Sequence, residues 1–368
     1  MADDQVYRVV QWGTGNVGRH ALRTILERPN LELVGVRVYS PDKVGVDAGV
    51  LLGGEPVGVV ATDDTEEILA LDADVVCYTP IAGEVMGRKR MIDDLTRLLS
   101  SGKNVVSSAM EDFAFLGTPV QIERAAKVYD ALTEACVAGN ATYLQRGVNP
   151  GFAMDVWPAQ LSTLCRRIDR LVATEVVDMR RYTSIQMMHG IGFGIPPEQP
   201  SEMHKGMSDI EHMSFGLEAK LLAVQLGVEL DEVVYRKEVG VSDQPVVIAA
   251  GILEPGTVSV MKLVVDGMRD GRAVITLEWI WRTTDDVRTD WPTGQSRWMV
   301  HVDGDPTLDA ELTLDTELDS RRATSLAAAA LLLNAVPTVC AAPAGLLNGL
   351  TVPPHTGGWF PPSGRAGT

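Results

Sequence analysis

The amino-acid sequence predicts an α/β chain: an N-terminal doubly wound parallel sheet followed by a second, α+β domain whose sheet is mostly antiparallel or mixed. Three observations predict it. The first ~150 residues alternate short β-branched runs with amphipathic helical stretches, the signature of βαβ units. A glycine-rich turn, Gly13-Thr14-Gly15-Asn16-Val17-Gly18, links the first strand to the first helix. Beyond Gly151 the pattern becomes a succession of strands with period-two alternation.

In the first domain the β-branched runs place strands at Val6–Gln11, Glu32–Tyr39, Pro56–Ala61, Ala73–Tyr78, Asn104–Ser107 and Thr142–Gln145. Helical periodicity falls between them at Val17–Glu27, Thr65–Ala70, Glu84–Ser100 and Pro119–Ala138. After Gly147-Val148-Asn149-Pro150-Gly151 come a helix at Ala153–Cys165, a strand at Arg170–Arg181 and a Gly/Pro/His/Met-rich stretch to about Met213. A helix at Phe215–Leu226 precedes strands at Val233–Val241, Val246–Leu253, Thr257–Asp266, Ala273–Arg282 and Ser296–Asp303. The last helix, Ser320–Ala335, is expected to stop before Pro337, because proline has no N–H to give. The elements therefore divide as 1–150, the doubly wound domain with the glycine-rich turn; 151–319, the α+β domain; and 320–368, a helix and tail packing back on the first domain.

Composition narrows the function. A chain of 368 residues can bury two cores. A formal charge of −17 repels polyanions and argues against a nucleic-acid partner. The four cysteines, Cys77, Cys136, Cys165 and Cys340, form no C-x-x-C pair and no zinc spacing, so no metal is expected and a reducing cytoplasm fits best. The opening MADDQVYRVVQWG lacks the basic and apolar regions of a secretory signal. The run Leu326–Val336, interrupted by Asn334, is too short to cross a bilayer, so it reads as a buried helix and no membrane partner is expected.

The turn at 13–18 carries the G-x-G-x-x-G pattern of Rossmann dinucleotide sites. Gly13 permits the tight bend, Gly15 lets a pyrophosphate approach the backbone, and Gly18 lets helix and strand pack closely. Thr14, Asn16 and Val17 complete the phosphate-facing loop, where unpaired helix N–H groups favour an anion. The end of the second strand decides between NAD and NADP, since an acid there accepts the ribose hydroxyls. Tyr39 occupies that place, Ser40 can donate to a phosphate oxygen, and Lys43 or Arg37 supplies charge unless each simply faces solvent. NADP is thus the expected cofactor, with NAD open.

Ligands of open α/β sheets lie beyond the carboxyl ends of the strands, so Thr79-Pro80 and Ser107-Ser108 should border the nicotinamide. Asn149, at the junction after the sixth strand, joins the cofactor-binding set. Glu111, with Asp112 as its rival, is placed to move protons at a reacting amine or water. Histidines 189, 204 and 212 share a stretch with Met187, Met188, Met203, Met207 and Met213, where pocket wall is a better reading than metal ligation. His189, Met188 and Phe152 are the expected substrate contacts.

The segments VVQWGTGNVGRHAL, VGVRVYSPDKVGVDAG, GKNVVSSAMED, RGVNPGFAMDVWPAQLS and LLLNAVPTV together resemble the dihydrodipicolinate-reductase-like dehydrogenases. Within that group the chain is similar to the branch of 2,4-diaminopentanoate dehydrogenase and the native amine dehydrogenases, over about Val6 to Pro353. The resemblance implies a dinucleotide-binding role for 1–150, a substrate and dimerisation role for 151–319 in a homodimer, NAD(P)-dependent interconversion of an amine with a ketone or aldehyde plus ammonia, and a catalytic glutamate just after the fifth strand, where Glu111 stands. The chain lacks the His-His-x-x-Lys stretch and the anion-binding loop of true dihydrodipicolinate reductases, having Met187-Met188-His189-Gly190-Ile191-Gly192 instead. Two alternatives remain at this level: a ketone, aldehyde or imine reductase that works without ammonia, and a non-catalytic NADP-binding sensor. A dimer is also suggested by Ile275–Trp281, a strand with large apolar groups on both faces.

Overall fold

The computed structural model describes residues 5–80, 87–202, 213–316, 323–357 and 359. The chain forms two compact units, Met1–Val148 with Arg322–Thr368, and Asn149–Arg321. It therefore leaves the first unit once and returns to it.

In the first unit the β-branched runs become β1 (Tyr7–Trp12), β2 (Leu31–Arg37), β3 (Ala61–Thr62), β4 (Val75–Tyr78), β5 (Asn104–Ser107) and β6 (Thr142–Gln145), joined by the late β15 (Gly345–Leu347). All pair in parallel, in the order β15-β6-β5-β4-β1-β2-β3. The order reverses between β1 and β4, which makes their carboxyl ends the switch point where ligands of such sheets bind. Near-continuous apolar strands such as Val75–Tyr78, buried throughout, fit a sheet covered on both faces.

The covering helices are α1 (Asn16–Glu27), α2 (Ala48–Leu51), α3 (Thr65–Ala70), α4 (Arg88–Ser100), α5 (Ala126–Gly139) and the late α9 (Ala323–Ala341). One core packs α1 and α9 on the sheet through Ala21, Leu22, Ile25, Leu332, Leu333, Val336 and Val339 against Val9, Val36, Val75 and Val106. The other packs Met91, Leu95, Leu98, Leu99 and Leu132 against Val10, Val76 and Val105. By length and composition α9 is apolar enough to cross a membrane, but its buried side chains supply the core of this unit. Its Asn334, which breaks the apolar run, accepts a hydrogen bond from Arg28 Nη1 at 2.7 Å and so pins α9 to the end of α1.

Three expectations need correction here. The helix α9 continues through Pro337 to Ala341; the lost hydrogen bond and ring clash cost about 3 kcal/mol, offset by burying Val336 and Val339 on either side. The expected strand Pro56–Ala61 shrinks to Ala61–Thr62, because Asp47 takes the N–H groups of Gly49, Val57 and Gly58 at 2.8–2.9 Å and holds that run in a loop. These bonds, Val57's foremost, keep the Asp47 carboxyl below its ordinary pKa. The expected helix Pro119–Ala138 starts its α-helical part only at Ala126, after a short 3-10 turn at Glu123–Ala125. The residues Glu84–Gly87 of the expected fourth helix largely fall outside the described residues, and α4 begins at Arg88.

The second unit contains α6 (Val156–Ser162), β7 (Arg167–Asp178), α7 (Ile185–Ile191), α8 (Ser214–Leu226), β8 (Glu232–Val241), β9 (Val246–Ile248), β10 (Gly251–Leu253), β11 (Val258–Arg269), β12 (Arg272–Arg282), β13 (Arg297–Asp305) and β14 (Leu308–Thr313). Six strands form one mixed sheet, β14-β13-β7-β12-β11-β8, in which β7 and β12 pair in parallel and the rest antiparallel. Alternation sorts the two faces. Leu263, Leu277 and Trp279 are buried, with Phe215 of α8 edge-on to Trp279 at 4.6 Å. The opposite face carries the ion pairs Lys262–Glu278 and Arg236–Asp266, each at 2.6 Å, beside a small cluster of Val176, Val260, Ile280 and Trp291. The run Val246–Leu253, expected as one strand, folds into the hairpin β9–β10, with Ala249 N–H held by the Arg180 carbonyl and Gly251 at φ +138°.

Candidate nucleotide-binding and active site

The turn Gly13–Gly18 lies between the end of β1 and α1, at the switch point of the first sheet. Gly13 has φ +91°, a left-handed conformation that favours glycine. Its N–H donates to the Arg37 carbonyl at 2.9 Å, and a side chain there would meet the Thr79–Pro80 backbone at 3.1 Å. At Gly18 an added Cβ would sit 2.0 Å from the Gly13 carbonyl oxygen, so only glycine lets α1 start this close to the turn. Gly15 is the N-cap of α1 and has no side-chain cap, which leaves the amides of Asn16, Val17 and Gly18 for a ligand. A helix start of three spared N–H groups behind a side-chain-free approach fits the pyrophosphate of a dinucleotide.

Two residues not singled out in the sequence hold this turn. Gln11, fully buried, donates from Nε2 to the Gly13 carbonyl at 2.8 Å and to Thr79 Oγ1 at 2.9 Å. The side chain thus ties β1, the turn and the end of β4 together, and a polar residue amid a buried strand was its only sequence signal. Trp12 donates from Nε1 to the Tyr39 hydroxyl at 2.5 Å, which fixes the tyrosine at the end of β2. Lys43, in the 3-10 turn Pro41–Lys43, bends back to donate to Thr14 Oγ1 at 3.1 Å, setting its charge beside the phosphate-facing loop. Ser40 is exposed just before it. Arg37 is neither solvent-facing nor open to a ligand: it is 3% exposed, and its guanidinium lies between the Trp12 and Tyr39 rings, at 5.6 and 4.9 Å. The exposed Arg90 of α4 lies over the Tyr39 ring at 5.8 Å, so α4 supplies a second, exposed cation at that ring.

At the ends of β4 and β5, the Thr79 hydroxyl faces the Trp12 and Gly13 carbonyls, and Ser108 is half-buried with its N–H on the Tyr78 carbonyl. Glu111 and Asp112 open a 3-10 helix, Glu111–Phe115, which anchors through buried Phe113 and Phe115. The two acids differ in their engagement. Asp112 receives both Arg88 nitrogens, Nη1 at 3.0 and Nη2 at 2.7 Å. Glu111 has no hydrogen bond or ion pair among the described residues. It is solvent-accessible, yet the protein packed about its carboxyl raises its pKa, and the charge of Asp112 adds to the rise. Such a carboxyl can take or give a proton nearer neutrality than a free glutamate.

In the second unit, Asn149 donates from Nδ2 to Glu175 Oε2 at 3.1 Å. Phe152 follows it half-buried, and Asp155 caps α6 while accepting the Gly151 N–H at 2.9 Å. Met188 is fully buried in α7; His189, on the same helix, is exposed and lies beside Gly194. His204, His212, Met203 and Met207 lie outside the described residues. Among the described residues no group of three or more His, Cys, Asp or Glu side chains is arranged to hold a metal.

Comparison with known proteins then identifies the relatives of the chain. Residues 152–357 match the family described as the 2,4-diaminopentanoate dehydrogenase C-terminal domain. An amine dehydrogenase of Streptomyces virginiae is 32% identical over 356 residues, covering 94% of this chain and 95% of that protein. A 4-hydroxy-tetrahydrodipicolinate reductase of Trichormus variabilis is 30% identical over 135 residues, 35% of this chain and 45% of its own length. Among solved structures, an amine dehydrogenase from Mycobacterium smegmatis superposes with a TM-score of 0.70 at 18% identity, covering 95% of this chain and 96% of its own, which bears out the fold. The chain is an oxidoreductase belonging to the family of 2,4-diaminopentanoate dehydrogenases and amine dehydrogenases.

Proposed function

We propose that the chain is an NAD(P)H-dependent amine dehydrogenase, with NADP preferred, that aminates a small ketone or aldehyde with ammonia and runs the reverse oxidative deamination. The cofactor, when bound, supplies or accepts the hydride at the carbon that bears nitrogen. The residues of the chain do the rest. The amides at the start of α1, with Lys43 beside Thr14, hold the pyrophosphate. Tyr39, in place of an acid at the end of β2, leaves room for a 2′-phosphate, with Ser40 as a donor and Arg90 as the nearby cation. Thr79, Pro80, Ser108 and Asn149 border the reacting ring, while Phe152, Met188 and His189 belong to the substrate side.

Glu111 handles the protons. In the aminating direction nitrogen adds to the carbonyl carbon, the carbonyl oxygen leaves as water, and the carboxyl relays the protons that this exchange requires. The observation that carries the reading is the unequal state of the two acids: Arg88 occupies Asp112 at 2.7–3.0 Å, whereas Glu111 has no such partner among the described residues and has a raised pKa. A low-charge site with His and Met fits an alkyl ketone or its amine, and a homodimer is the proposed assembly.

The test is a panel of ketones and aldehydes with ammonium and NADPH, followed by loss of nicotinamide absorbance. Glu111→Gln should lower turnover at least a hundredfold, the usual span of general acid–base catalysis being about 10²–10⁴, and leave calorimetric NADPH binding intact. Turnover that persists in the variant, or NADPH oxidation with a ketone that ignores ammonium, overturns the proposal.

A further inference from the structure

The second unit holds a carboxylate whose two oxygens are both engaged by N–H donors. Glu175 lies in the middle of β7, paired with Trp279 of β12 on one side and Trp298 of β13 on the other. Its Oε1 accepts the Trp298 indole N–H at 2.9 Å, and its Oε2 accepts the Asn149 amide N–H at 3.1 Å. Trp298 is 2% exposed and Trp279 1%, so the acid sits in an otherwise aromatic row of the sheet. An acid in such a row costs desolvation energy that an apolar side chain of similar size would avoid.

The arrangement fixes the Asn149 amide. A carboxylate offers acceptors only, so the NH₂ end of the amide must face Glu175 and the carbonyl oxygen must face away. That oxygen, Asn149 Oδ1, is buried and has no hydrogen-bond partner among the described residues. A buried amide oxygen without a donor is costly to keep, and one held in place by a rigid sheet is a site prepared for a donor that arrives with a ligand. The location agrees. Asn149 is four residues past the end of β6, so its Cα lies within about 14 Å of the carboxyl edge of the parallel sheet, the edge where ligands of these sheets bind.

We propose that Glu175 is a positioning residue that locks the Asn149 side chain so that its Oδ1 accepts a hydrogen bond from an N–H of the bound ligands. Two sources carry that chemistry: the carboxamide of the nicotinamide cofactor, and the nitrogen exchanged between ammonia and the amine. The second source rests on the amine dehydrogenase reading above, whereas the first requires dinucleotide binding alone. Neither Glu175 nor Trp298 needs to touch the ligand.

The experiment uses the full chain and two variants, Asn149→Ala, which removes the acceptor, and Glu175→Gln, whose neutral amide no longer dictates which way Asn149 turns. Thermal melts establish that each is folded. Calorimetry then compares NADPH with its 3-acetylpyridine analogue, which keeps the ring carbonyl but has no amide N–H. If the carboxamide is the donor, the native chain favours NADPH over the analogue by roughly three- to tenfold, the span of one neutral hydrogen bond, and both variants lose that preference. If the exchanged nitrogen is the donor, nucleotide affinities stay native and KM for ammonium rises by a similar factor in both variants, with Glu175→Gln the milder. Folded variants that keep the native discrimination and the native ammonium KM overturn the proposal. A native chain with no ammonium-dependent turnover would instead remove the parent reading, and the calorimetric comparison would then decide the role of Glu175 by itself.

Discussion

Replacing Gly18 by alanine puts a methyl carbon 2.0 Å from the Gly13 carbonyl oxygen and 2.8 Å from both the Gly13 carbonyl carbon and the Thr79 hydroxyl. Real Cβ atoms essentially never come within 3.0 Å of such neighbours, so the Gly13 peptide must retreat by about 1 Å. It is poorly free to do so. Its N–H is bonded to the Arg37 carbonyl at 2.9 Å and its oxygen to Gln11 at 2.8 Å. Overpacking of this kind costs about 1–3 kcal/mol, and the displaced peptide belongs to the turn that positions the Asn16–Gly18 amides proposed to hold the pyrophosphate. Gly139→Ala is a matched control: its methyl would meet the Leu99 carbonyl oxygen at 1.9 Å, at the end of α5 beside Gly102 and the amino end of β5. Both variants should lose comparable stability in denaturant titrations. Calorimetry with NADPH should show an affinity drop of about tenfold or more for Gly18→Ala, and none for Gly139→Ala. Native affinity in a destabilised Gly18→Ala would refute the assignment of this turn to the phosphates.

Two further outcomes test the acid pair and the core. The rise in the pKa of Glu111, caused by the protein packed about its carboxyl and by the charge of Asp112, means that its ionised form, the proton acceptor, is reached at higher pH than for a free glutamate, and activity falls as pH drops through that raised value. Asp112→Asn removes the neighbouring negative charge and frees the Arg88 guanidinium; both changes favour ionised Glu111, so the acidic limb of the pH–rate profile should move to lower pH. A limb that stays put or moves upward would contradict the assignment. Leu332→Ala, at a fully buried position of α9, should cost about 2–5 kcal/mol in chemical denaturation; a loss under about 1 kcal/mol would show that α9 does not complete the first core.

The parts of this fold that local physics determines were legible. The turn at 13–18 could be read because three glycines at fixed spacing have a steric reason, and the structure supplies it in the closeness of Gly18 to Gly13. Strands β5 and β6 were found at their observed bounds since each is a short buried run between helices. Where a distant group intervened, reading failed. Asp47 withdraws Val57 and Gly58 from the sheet, Arg180 bends the 246–253 segment into a hairpin, and burial carries α9 through a proline. The edge strand Leu308–Thr313, acidic and half-exposed, and the three-residue β15 gave too little apolar signal to be found. The same limit applied to the site. Glu111 and Asp112 are adjacent and chemically alike in sequence, and only the reach of Arg88 from α4, 24 positions upstream of Asp112, separates them. Gln11, Trp12 and Glu175 escaped notice because each acts through a partner elsewhere in the chain.

The return of the chain to its first unit has a consequence for biosynthesis. The helix that seals the α1 side of the parallel sheet, and the strand β15 that extends its edge, are translated only after the whole Asn149–Arg321 unit. A nascent polypeptide halted before Ala323 would lack the Leu332, Leu333, Val336 and Val339 side chains that complete the core around Val9, Leu22, Ile25 and Val75. Ribosome-bound fragments of that length should therefore recruit holdase chaperones, and the order of maturation is set: the inserted unit can settle while still tethered, whereas the first unit must wait until α9 and β15 have been made.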